Sequence, residues 1–465
     1  MSGLTHMPAT PRLSDLARAA NGRLHGADQD FADVGIDTRR LAEKDVFFAL
    51  QGNHDGHEHV AQAAALGAAG AVVERLQDAP LAQIQVDNTE QALQQAGAAW
   101  RQTFAGPVIG VTGSNGKTTV RRMLAAILAQ CRAPVLASSG NFNNHLGVPL
   151  TLLGLRAHHA SAVIEMGANH AGEITALSHL VQAQVAVVTN AGDAHLEGFG
   201  SRAGVARAKG EIYAALAPGA SAIINADDAY AEQWTATAAH CRRLYFSLDG
   251  GHADVAAEQV ALTDNGSRFA LRLPNQRVAI ELALPGEHNV RNALAAAAAA
   301  HTVGAMAADI AAGLGAITAA AGRLAAMPGL HGARLIDDSY NANPASLQAA
   351  LHWLAAQPGP RWLVLGDMGE LGAATAQAHR DAGLQARAAG IEQLWATGPA
   401  SEQAAASFGD GGQWFACQAQ LGDALLAALA GAAERPTLLV KGSRSAHMDR
   451  IVALLAPAAA GGEPC

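Results

Sequence analysis

The sequence has little cysteine, few aromatic side chains and little charge. Its 465 residues include 4 cysteines, 4% aromatic residues and 15% charged residues. Cys131, Cys241, Cys417 and Cys465 lie far apart and form no CxxC or Cys/His cluster. This spacing argues against disulfides and a structural zinc site, and it favours a reducing compartment. We therefore expect a cytoplasmic protein.

Long apolar runs are missing as well. The longest run, 293–300, is mostly alanine and is bracketed by Arg291 and His301. A membrane helix needs about 20 apolar residues, so this run predicts a packed helix instead. The start of the chain lacks the apolar core of a signal peptide. The net charge of −9 argues against nucleic acid as the main partner. We expect neither membrane insertion nor nucleic-acid binding.

What the chain does have is enough apolar sequence for several cores. Half of its residues are hydrophobic, and one domain per roughly 150 residues suggests about three domains. Short apolar strands alternate with helical patterns, which predicts mostly parallel α/β sheets. We expect a smaller N-terminal α/β domain (1–86), a central P-loop-type parallel-sheet domain (87–322) and a C-terminal Rossmann-like domain (323–465).

The stretch 110–119, Gly-Val-Thr-Gly-Ser-Asn-Gly-Lys-Thr-Thr, predicts a phosphate-binding loop. It follows an apolar run and opens an amphipathic segment, which is the order strand, glycine loop, helix. Such a loop points backbone N–H groups at one position, and the helix N-terminus adds a partial positive charge. Lys117 can neutralise phosphate, and the Thr118 hydroxyl can bind Mg²⁺. Val111 occupies the position where the general motif has glycine, so a generic GTPase is disfavoured.

Polar residues follow the next two predicted strands. Glu165 ends one strand, and His195 lies in the loop after the other. Because ligands gather beyond the carboxyl ends of parallel strands, Glu165 is a candidate Mg²⁺ ligand. His195 is either a metal or phosphate ligand or a structural histidine. Lys209, taken alone, is most simply a surface lysine on a helix.

Together these residues resemble the Mur ligases of bacterial cell-wall synthesis. The resemblance covers nearly the whole chain in order, and its motifs are the following: 112–119, 143–149, 165–168, 195–201, 209–212 and 286–292. Three further stretches resemble the branch that adds D-alanyl-D-alanine: Asp-Asp-Ser-Tyr-Asn-Ala-Asn-Pro at 337–344, Gly-Asp-Met-Gly-Glu-Leu-Gly at 366–372 and Val-Lys-Gly-Ser-Arg-Ser at 440–445. So do 37–40, 47–50 and 55–57 near the N-terminus.

The resemblance implies an ATP-dependent amide ligase. ATP, UDP-N-acetylmuramoyl-tripeptide and D-Ala-D-Ala would give ADP, phosphate and the pentapeptide precursor of peptidoglycan through an acyl phosphate. Phosphoryl transfer needs positioning and cations more than covalent help from the protein. The family also suggests a monomer. The third peptide residue, diaminopimelate or lysine, stays open.

The resemblance also implies roles for particular residues. Lys117, Lys209 and His195 would be catalytic, with Thr118, Glu165, His195 and a carbamylated Lys209 holding Mg²⁺. The UDP-linked substrate would contact Thr38, Arg39 and Asn144. ATP would contact residues from the loop and from both sides of the boundary near 322: Thr112, Gly113, Ser114, Asn115, Gly116, Lys117, Thr118, Thr119, Asn289 or Asn292, Arg323 and Asp338.

Two other functions stay open on the sequence. One is a sister ligase with a different acceptor, either the enzyme that adds the third residue or a folylpolyglutamate synthase. The other is a non-catalytic regulator that binds ATP. The stretches 337–344 and 366–372 favour the dipeptide-adding branch over the sister ligases, and a requirement for both co-substrates in ADP release would exclude the regulator.

Overall fold

The computed structural model describes residues 6–52, 54–193, 195–263 and 265–457. Three sheets alternate with helices along this part of the chain. The predicted α/β class with three domains is therefore confirmed. Cys131, Cys241 and Cys417 are free thiols, and Cys465 lies outside the described residues. No described helix has the length and apolar character needed to cross a bilayer.

The N-terminal unit is a five-stranded sheet in the order β1-β5-β4-β3-β2. Neighbouring strands are parallel except β1 and β5. Its elements are α1 (Leu13–Ala19), β1 (Arg23–His25), β2 (Val34–Gly35), β3 (Val46–Phe48), α2 (Val60–Ala65), β4 (Gly70–Val73) and β5 (Ala82–Gln85). Short 3₁₀ turns cover Thr38–Arg40 and Gly56–His59.

The central unit is a nine-stranded sheet flanked by helices. Its elements are α3 (Thr89–Gln102), β6 (Val108–Thr112), α4 (Lys117–Cys131), β7 (Val135–Ala137), α5 (Gly147–Leu153), β8 (Ser161–Glu165), α6 (Glu173–Val181), β9 (Val185–Val188), α7 (Leu196–Phe199), α8 (Arg202–Ala214), β10 (Ser221–Asn225), α9 (Ala231–Thr237), β11 (Arg242–Ser247), β12 (Val255–Thr263), β13 (Gly266–Leu273), β14 (Gln276–Leu282), α10 (Glu287–Thr302) and α11 (Ala307–Gly315).

Strand order in this sheet brings the predicted site together. The order is β14-β13-β12-β11-β10-β9-β6-β8-β7, so β6 lies between β8 and β9. These three strands are parallel, and their carboxyl ends share one edge. The sheet is parallel from β7 to β12, whereas β12, β13 and β14 form antiparallel pairs. The predicted mostly parallel sheet thus carries an antiparallel extension.

Both faces of the central sheet are buried. On one face a single apolar cluster runs from Leu13 and Ile84 through Trp100 to Val108, which joins the N-terminal unit to the central sheet. On the other face the alanine run 293–300 of α10 is buried along its whole length. Alanine lets a helix approach a sheet closely, so the predicted packed helix is confirmed.

The C-terminal unit is a six-stranded sheet in the order β15-β16-β20-β17-β18-β19. Only β15 pairs antiparallel. Its elements are β15 (Ala325–Pro328), β16 (Arg334–Asp338), α12 (Pro344–Ala355), β17 (Arg361–Gly366), α13 (Thr375–Ala388), β18 (Gln393–Thr397), α14 (Glu402–Phe408), β19 (Gly412–Phe415), α15 (Gln418–Gly431), β20 (Thr437–Lys441) and α16 (Asp449–Leu455). Separate apolar clusters fill its two faces.

Candidate active site

The predicted phosphate loop joins β6 to α4. Gly113 has φ +143° and Gly116, the residue before the helix, has φ +81°. A Cβ atom at Gly113 would collide with the Thr189 side chain, and one at Gly116 would collide with Asn292. Both positions therefore require glycine for conformation and for space.

Lys117 lies at the first helical position and is half-buried. Its Nζ donates to the carbonyl of Gly113 at 2.7 Å and to that of Ser114 at 3.2 Å. Burial lowers the pKa of its ammonium, while the carboxylates of Glu165 and Glu370 act in the opposite direction. The amine is thus held at the mouth of the loop, where a phosphate would lie.

Glu165 is buried beside this loop and contacts three side chains. Its Oε1 accepts from Asn143 Nδ2 at 2.9 Å and from Thr118 Oγ1 at 3.3 Å. Its Oε2 lies 3.2 Å from Arg121 Nε, and neither of those two atoms has a hydrogen-bond partner among the described residues. A buried carboxylate with an incompletely used oxygen, next to a threonine hydroxyl, suits a hard cation.

His195 and Lys209 both contact Phe199. The His195 ring packs edge-on against Phe199 at 6.5 Å between centroids, and Lys209 Nζ lies 5.1 Å from the centroid of the same ring. Lys209 is fully buried, not a surface lysine. Its Nζ donates to the carbonyl of Ala168 at 3.1 Å. Burial, followed by repulsion from Lys117, lowers the pKa of Lys209 to about 7.

Residues from the C-terminal unit complete the opposite wall. Arg323 Nη2 donates to Thr118 Oγ1 at 3.1 Å, and its guanidinium stacks on Tyr340 at 4.3 Å. Asp338 Oδ2 lies 2.5 Å from Lys441 Nζ. Burial raises the pKa of Asp338, and the adjacent Lys441 opposes that shift.

The first turns of α10 form a third wall. Asn289 and Asn292 are buried, and Asn292 Nδ2 donates to Asn289 Oδ1 at 3.4 Å. His288, on the same helix, also lines the cleft. Its desolvation, then repulsion from Lys441 and Arg291, lowers the pKa of this imidazole to about 4.

These walls enclose one cleft of about 670 Å³. The predicted residues that line it are Ser114, Asn115, Gly116, Lys117, Thr118, Thr119, Asn144, Glu165, His195, Asn289, Asn292, Arg323 and Asp338. Thr112 and Gly113 lie beneath the loop, and the Thr112 hydroxyl donates to the carbonyl of Met166 at 2.7 Å. Lys209 lies behind the wall that Ala168 forms.

The predicted residues for the UDP-linked substrate do not gather at one point. Asn144 lies in the cleft, and its Oδ1 accepts from the N–H of Gly147 at 2.9 Å. Thr38 and Arg39 are in the N-terminal unit and do not line this cleft. Thr38 Oγ1 donates to Gln62 at 2.9 Å, and the exposed Arg39 pairs with Asp37 at 2.7 Å.

Sequence reasoning missed several residues of the site. Arg121 lies one helical turn after Lys117, a spacing that could have placed it on the same helix face. Glu370 Oε2 lies 2.5 Å from His195 Nδ1, and Asn343 Nδ2 donates to Asn115. Nothing in the local pattern around Glu370, Asn343 or Lys441 signals these contacts, because each partner is far away in the chain.

Among the described residues no group of three or more His, Cys, Asp or Glu side chains could hold a metal ion. This does not conflict with Mg²⁺, which takes one or two protein ligands plus phosphate oxygens and water. Thr118 Oγ1 and Glu165 Oε1 lie 3.3 Å apart and are suitable oxygen ligands for Mg²⁺. The site residues therefore fit the predicted ion.

Two family profiles match the chain. The Mur ligase middle domain matches residues 111–300, and the Mur ligase, glutamate ligase domain matches residues 322–444. These matches cover the central sheet with its phosphate loop and most of the C-terminal unit.

Curated relatives match over nearly the full length. The UDP-N-acetylmuramoyl-tripeptide--D-alanyl-D-alanine ligase of Escherichia coli (strain K12) is 43% identical over 444 residues, which is 95% of this chain and 98% of that one. The enzyme of the same name from Haemophilus influenzae is 37% identical, over 94% and 96% of the two chains.

Solved structures agree with the sequence relatives. A crystal structure of MurF from Acinetobacter baumannii superposes with a TM-score of 0.88 at 37% identity, covering 96% of this chain and 99% of that one. Since relatives well above 30% identity match almost end to end, the chain belongs to the Mur ligase family, in its UDP-N-acetylmuramoyl-tripeptide--D-alanyl-D-alanine ligase (MurF) class.

Proposed function

We propose that this protein joins D-alanyl-D-alanine to UDP-N-acetylmuramoyl-tripeptide at the expense of ATP, in peptidoglycan precursor synthesis. The full-length relatives carry that name. The observation that carries the proposal is the cleft itself, in which the glycine loop, Glu165 and Arg323 meet around Thr118.

The reaction needs an activated carboxyl group, because a free carboxylate has no usable leaving group. The γ-phosphoryl group moves from ATP to a carboxylate oxygen of the tripeptide, and ADP leaves. The dipeptide amine then attacks the carbonyl carbon, phosphate departs with that oxygen, and the amine proton passes to solvent. Lys117 and Arg323 neutralise charge on the phosphates, and the loop N–H groups position them.

The protein would hold one Mg²⁺ through Thr118 and a second through Glu165 and His195. Bound there, the ions would neutralise charge on the phosphoryl group as it moves. Glu165 is kept in place by Asn143 and Arg121, so its carboxylate is oriented before any ligand arrives.

Lys209 would be modified by CO₂. Only an uncharged amine reacts with CO₂, and a pKa of about 7 leaves a large uncharged fraction at neutral pH. The resulting carbamate would offer oxygen ligands in place of an ammonium group. Lys209 and His195 both contact the ring of Phe199, and we propose that the carbamate joins Glu165 and His195 at the second ion.

Further parts of the proposal concern substrates and organisation. Asn289 or Asn292 would contact adenine, and Asp338 would contact the ribose. Thr38, Arg39 and Asn144 would contact the UDP-linked substrate.

We propose domain boundaries of 1–86, 87–322 and 323–465, since the three sheets lie within 23–85, 108–282 and 325–441. A cytoplasmic location is proposed, because ATP is a substrate and Cys131, Cys241 and Cys417 are free thiols, and a monomer is proposed from the family resemblance alone.

The test is isotope transfer. Tripeptide substrate with ¹⁸O in its terminal carboxylate should deliver ¹⁸O into the released phosphate, and ADP should form only with D-Ala-D-Ala present. Use of a single amino acid in place of the dipeptide would point to a sister ligase. ADP release without either co-substrate would point to a generic ATPase.

A substitution at Lys117 tests whether ATP reacts at the phosphate loop. Lys117→Ala should reduce turnover by on the order of 10²-fold or more, because a cation at the transferring phosphate is lost, while circular dichroism stays that of the wild type. Lys44→Ala, at an exposed position outside the cleft, is the control. Equal turnover of the two variants would contradict the proposed ATP site.

A further inference from the structure

Asn115 is held from two sides. On one side, the two residues that follow β9 bind its backbone: its N–H donates to Asn190 Oδ1 at 3.1 Å, and its carbonyl accepts from Thr189 Oγ1 at 2.6 Å. On the other side, its side-chain Oδ1 accepts from Nδ2 of Asn343 at 2.8 Å. The phosphate loop is thus fixed to the central sheet through its backbone and to the C-terminal unit through one side chain.

Asn343 can make this contact in only one orientation. It is 5% exposed and is the N-cap residue of α12. Its Oδ1 accepts from the N–H of Ser346 at 2.9 Å, and its own N–H donates to the Ser346 hydroxyl at 3.0 Å. Because an amide has one oxygen and one NH₂ group, the capping bond turns the NH₂ group toward Asn115. An aspartate cap has no donor, and a serine cap has only its short hydroxyl, without the NH₂ group that extends from Asn343 to Asn115.

The contact crosses the boundary between the two units that form the cleft. Near it, Arg323 also reaches across, to Thr118, so both contacts end on the phosphate loop. We infer that Asn343 is a positioning residue, which orders the phosphate loop through Asn115 and thereby couples nucleotide binding to the position of the C-terminal unit. This inference rests on the proposed ATP-dependent function.

The variant Asn343→Ser removes the hydrogen bond to Asn115 but keeps an N-cap for α12. Serine is an N-cap nearly as good as asparagine, and Ser201 caps α8 in this same chain by accepting from Gly204 at 3.1 Å. Asn88, the exposed N-cap of α3, accepts from Gln91 at 2.8 Å and lies outside the cleft. Asn88→Ser is therefore the matched control for the same chemical change.

Kinetics of ADP formation give the first readout. Asn343→Ser should raise the KM for ATP about five- to tenfold, the usual effect of losing one buried hydrogen bond, with a melting temperature like that of Asn88→Ser. Asn115→Ala should raise it similarly, and the double variant should be no worse than the worse single variant. Additive effects, or an Asn343→Ser enzyme that matches Asn88→Ser, would overturn the inference.

Hydrogen exchange gives a readout independent of turnover. With a non-hydrolysable ATP analogue, the peptide that contains residues 112–120 should exchange faster in Asn343→Ser than in the wild type and in Asn88→Ser. Equal protection in all three would refute the coupling. If serine destabilises the fold, Asn343→Asp retains a capping oxygen and tests the same donor. Failure of the proposed function would appear instead in the wild type, as ADP formation independent of D-Ala-D-Ala.

Discussion

His288 is an imidazole placed beside two cations. Lys441 and Arg291 face it, and desolvation adds to their effect, so the pKa of His288 falls to about 4. In the unfolded chain the same group has its ordinary pKa near 6.5. Between these values the unfolded state binds the extra proton, and folding stability therefore declines as the pH falls.

This difference predicts a measurable pH dependence. Urea unfolding of His288→Gln should lose less stability than the wild type between pH 6.5 and pH 4.5, by on the order of 1 kcal/mol. His352→Gln, at an exposed histidine on α12, should keep the wild-type dependence. A His288→Gln profile parallel to that of the wild type would show that the imidazole is not kept neutral by its surroundings.

Individual site residues could be predicted from the sequence where their position in a strand or helix is evident from their immediate neighbours. Lys117, Thr118 and Glu165 could be predicted, because each stands at the end of a strand or the start of a helix. Lys209 could not be recognised as buried from its helix pattern alone. The Asp338–Lys441 pair could not be predicted either, because it depends on the register of β16 against β20, which aligns two residues distant in the chain.

The loop between β6 and α4 requires a left-handed backbone conformation at Gly116. Gly116 and Gly219 both have φ +81°, but a Cβ atom would meet Asn292 at the first and nothing within 4 Å at the second. A comparison of alanine variants at these two glycines therefore distinguishes the cost of the left-handed backbone from the cost of the steric collision.

We expect Gly116→Ala to destabilise the protein more than Gly219→Ala. Left-handed backbone costs alanine about 1–2 kcal/mol at either site, and the collision adds to this only at Gly116. Urea unfolding measures both, and turnover should fall only in Gly116→Ala. Equal destabilisation would mean that Asn292 moves aside without cost.

Helices and strands could be predicted where the hydrophobic pattern of the sequence was unambiguous. The alternation of short apolar strands with helices, and the packed helix over 293–300, were expected and are present. The antiparallel strands β12, β13 and β14 were not predicted, because their alternation of exposed and buried residues is weaker than a continuous apolar run. They extend the sheet away from the cleft, so the site was predictable without them.

For the whole molecule, the cleft is assembled from two units. Arg323 lies in the C-terminal half of the cleft yet donates to Thr118 on α4. Any ligand that occupies the cleft should therefore stabilise both units together, by RT ln(1 + [L]/Kd).

Arg323→Ala should weaken this stabilisation. In the wild type, ATP at 100 times its Kd should add about 2.7 kcal/mol to the free energy of unfolding. At the same ATP concentration the variant should gain less, because a cation facing the phosphates is gone. Arg268→Ala, at an exposed ion pair on β13, should gain as much as the wild type. Equal gains in all three would remove Arg323 from the nucleotide site.

The alanine run of α10 has a mechanical consequence. Apart from Leu294, the buried side chains of this run are single methyl groups, so few flexible side chains could accommodate a shift of α10 against the sheet. We therefore expect Asn289 and Asn292, at its start, to move little when a ligand binds. Adjustment to each new substrate would then fall on the opposite wall of the cleft, which the C-terminal unit forms.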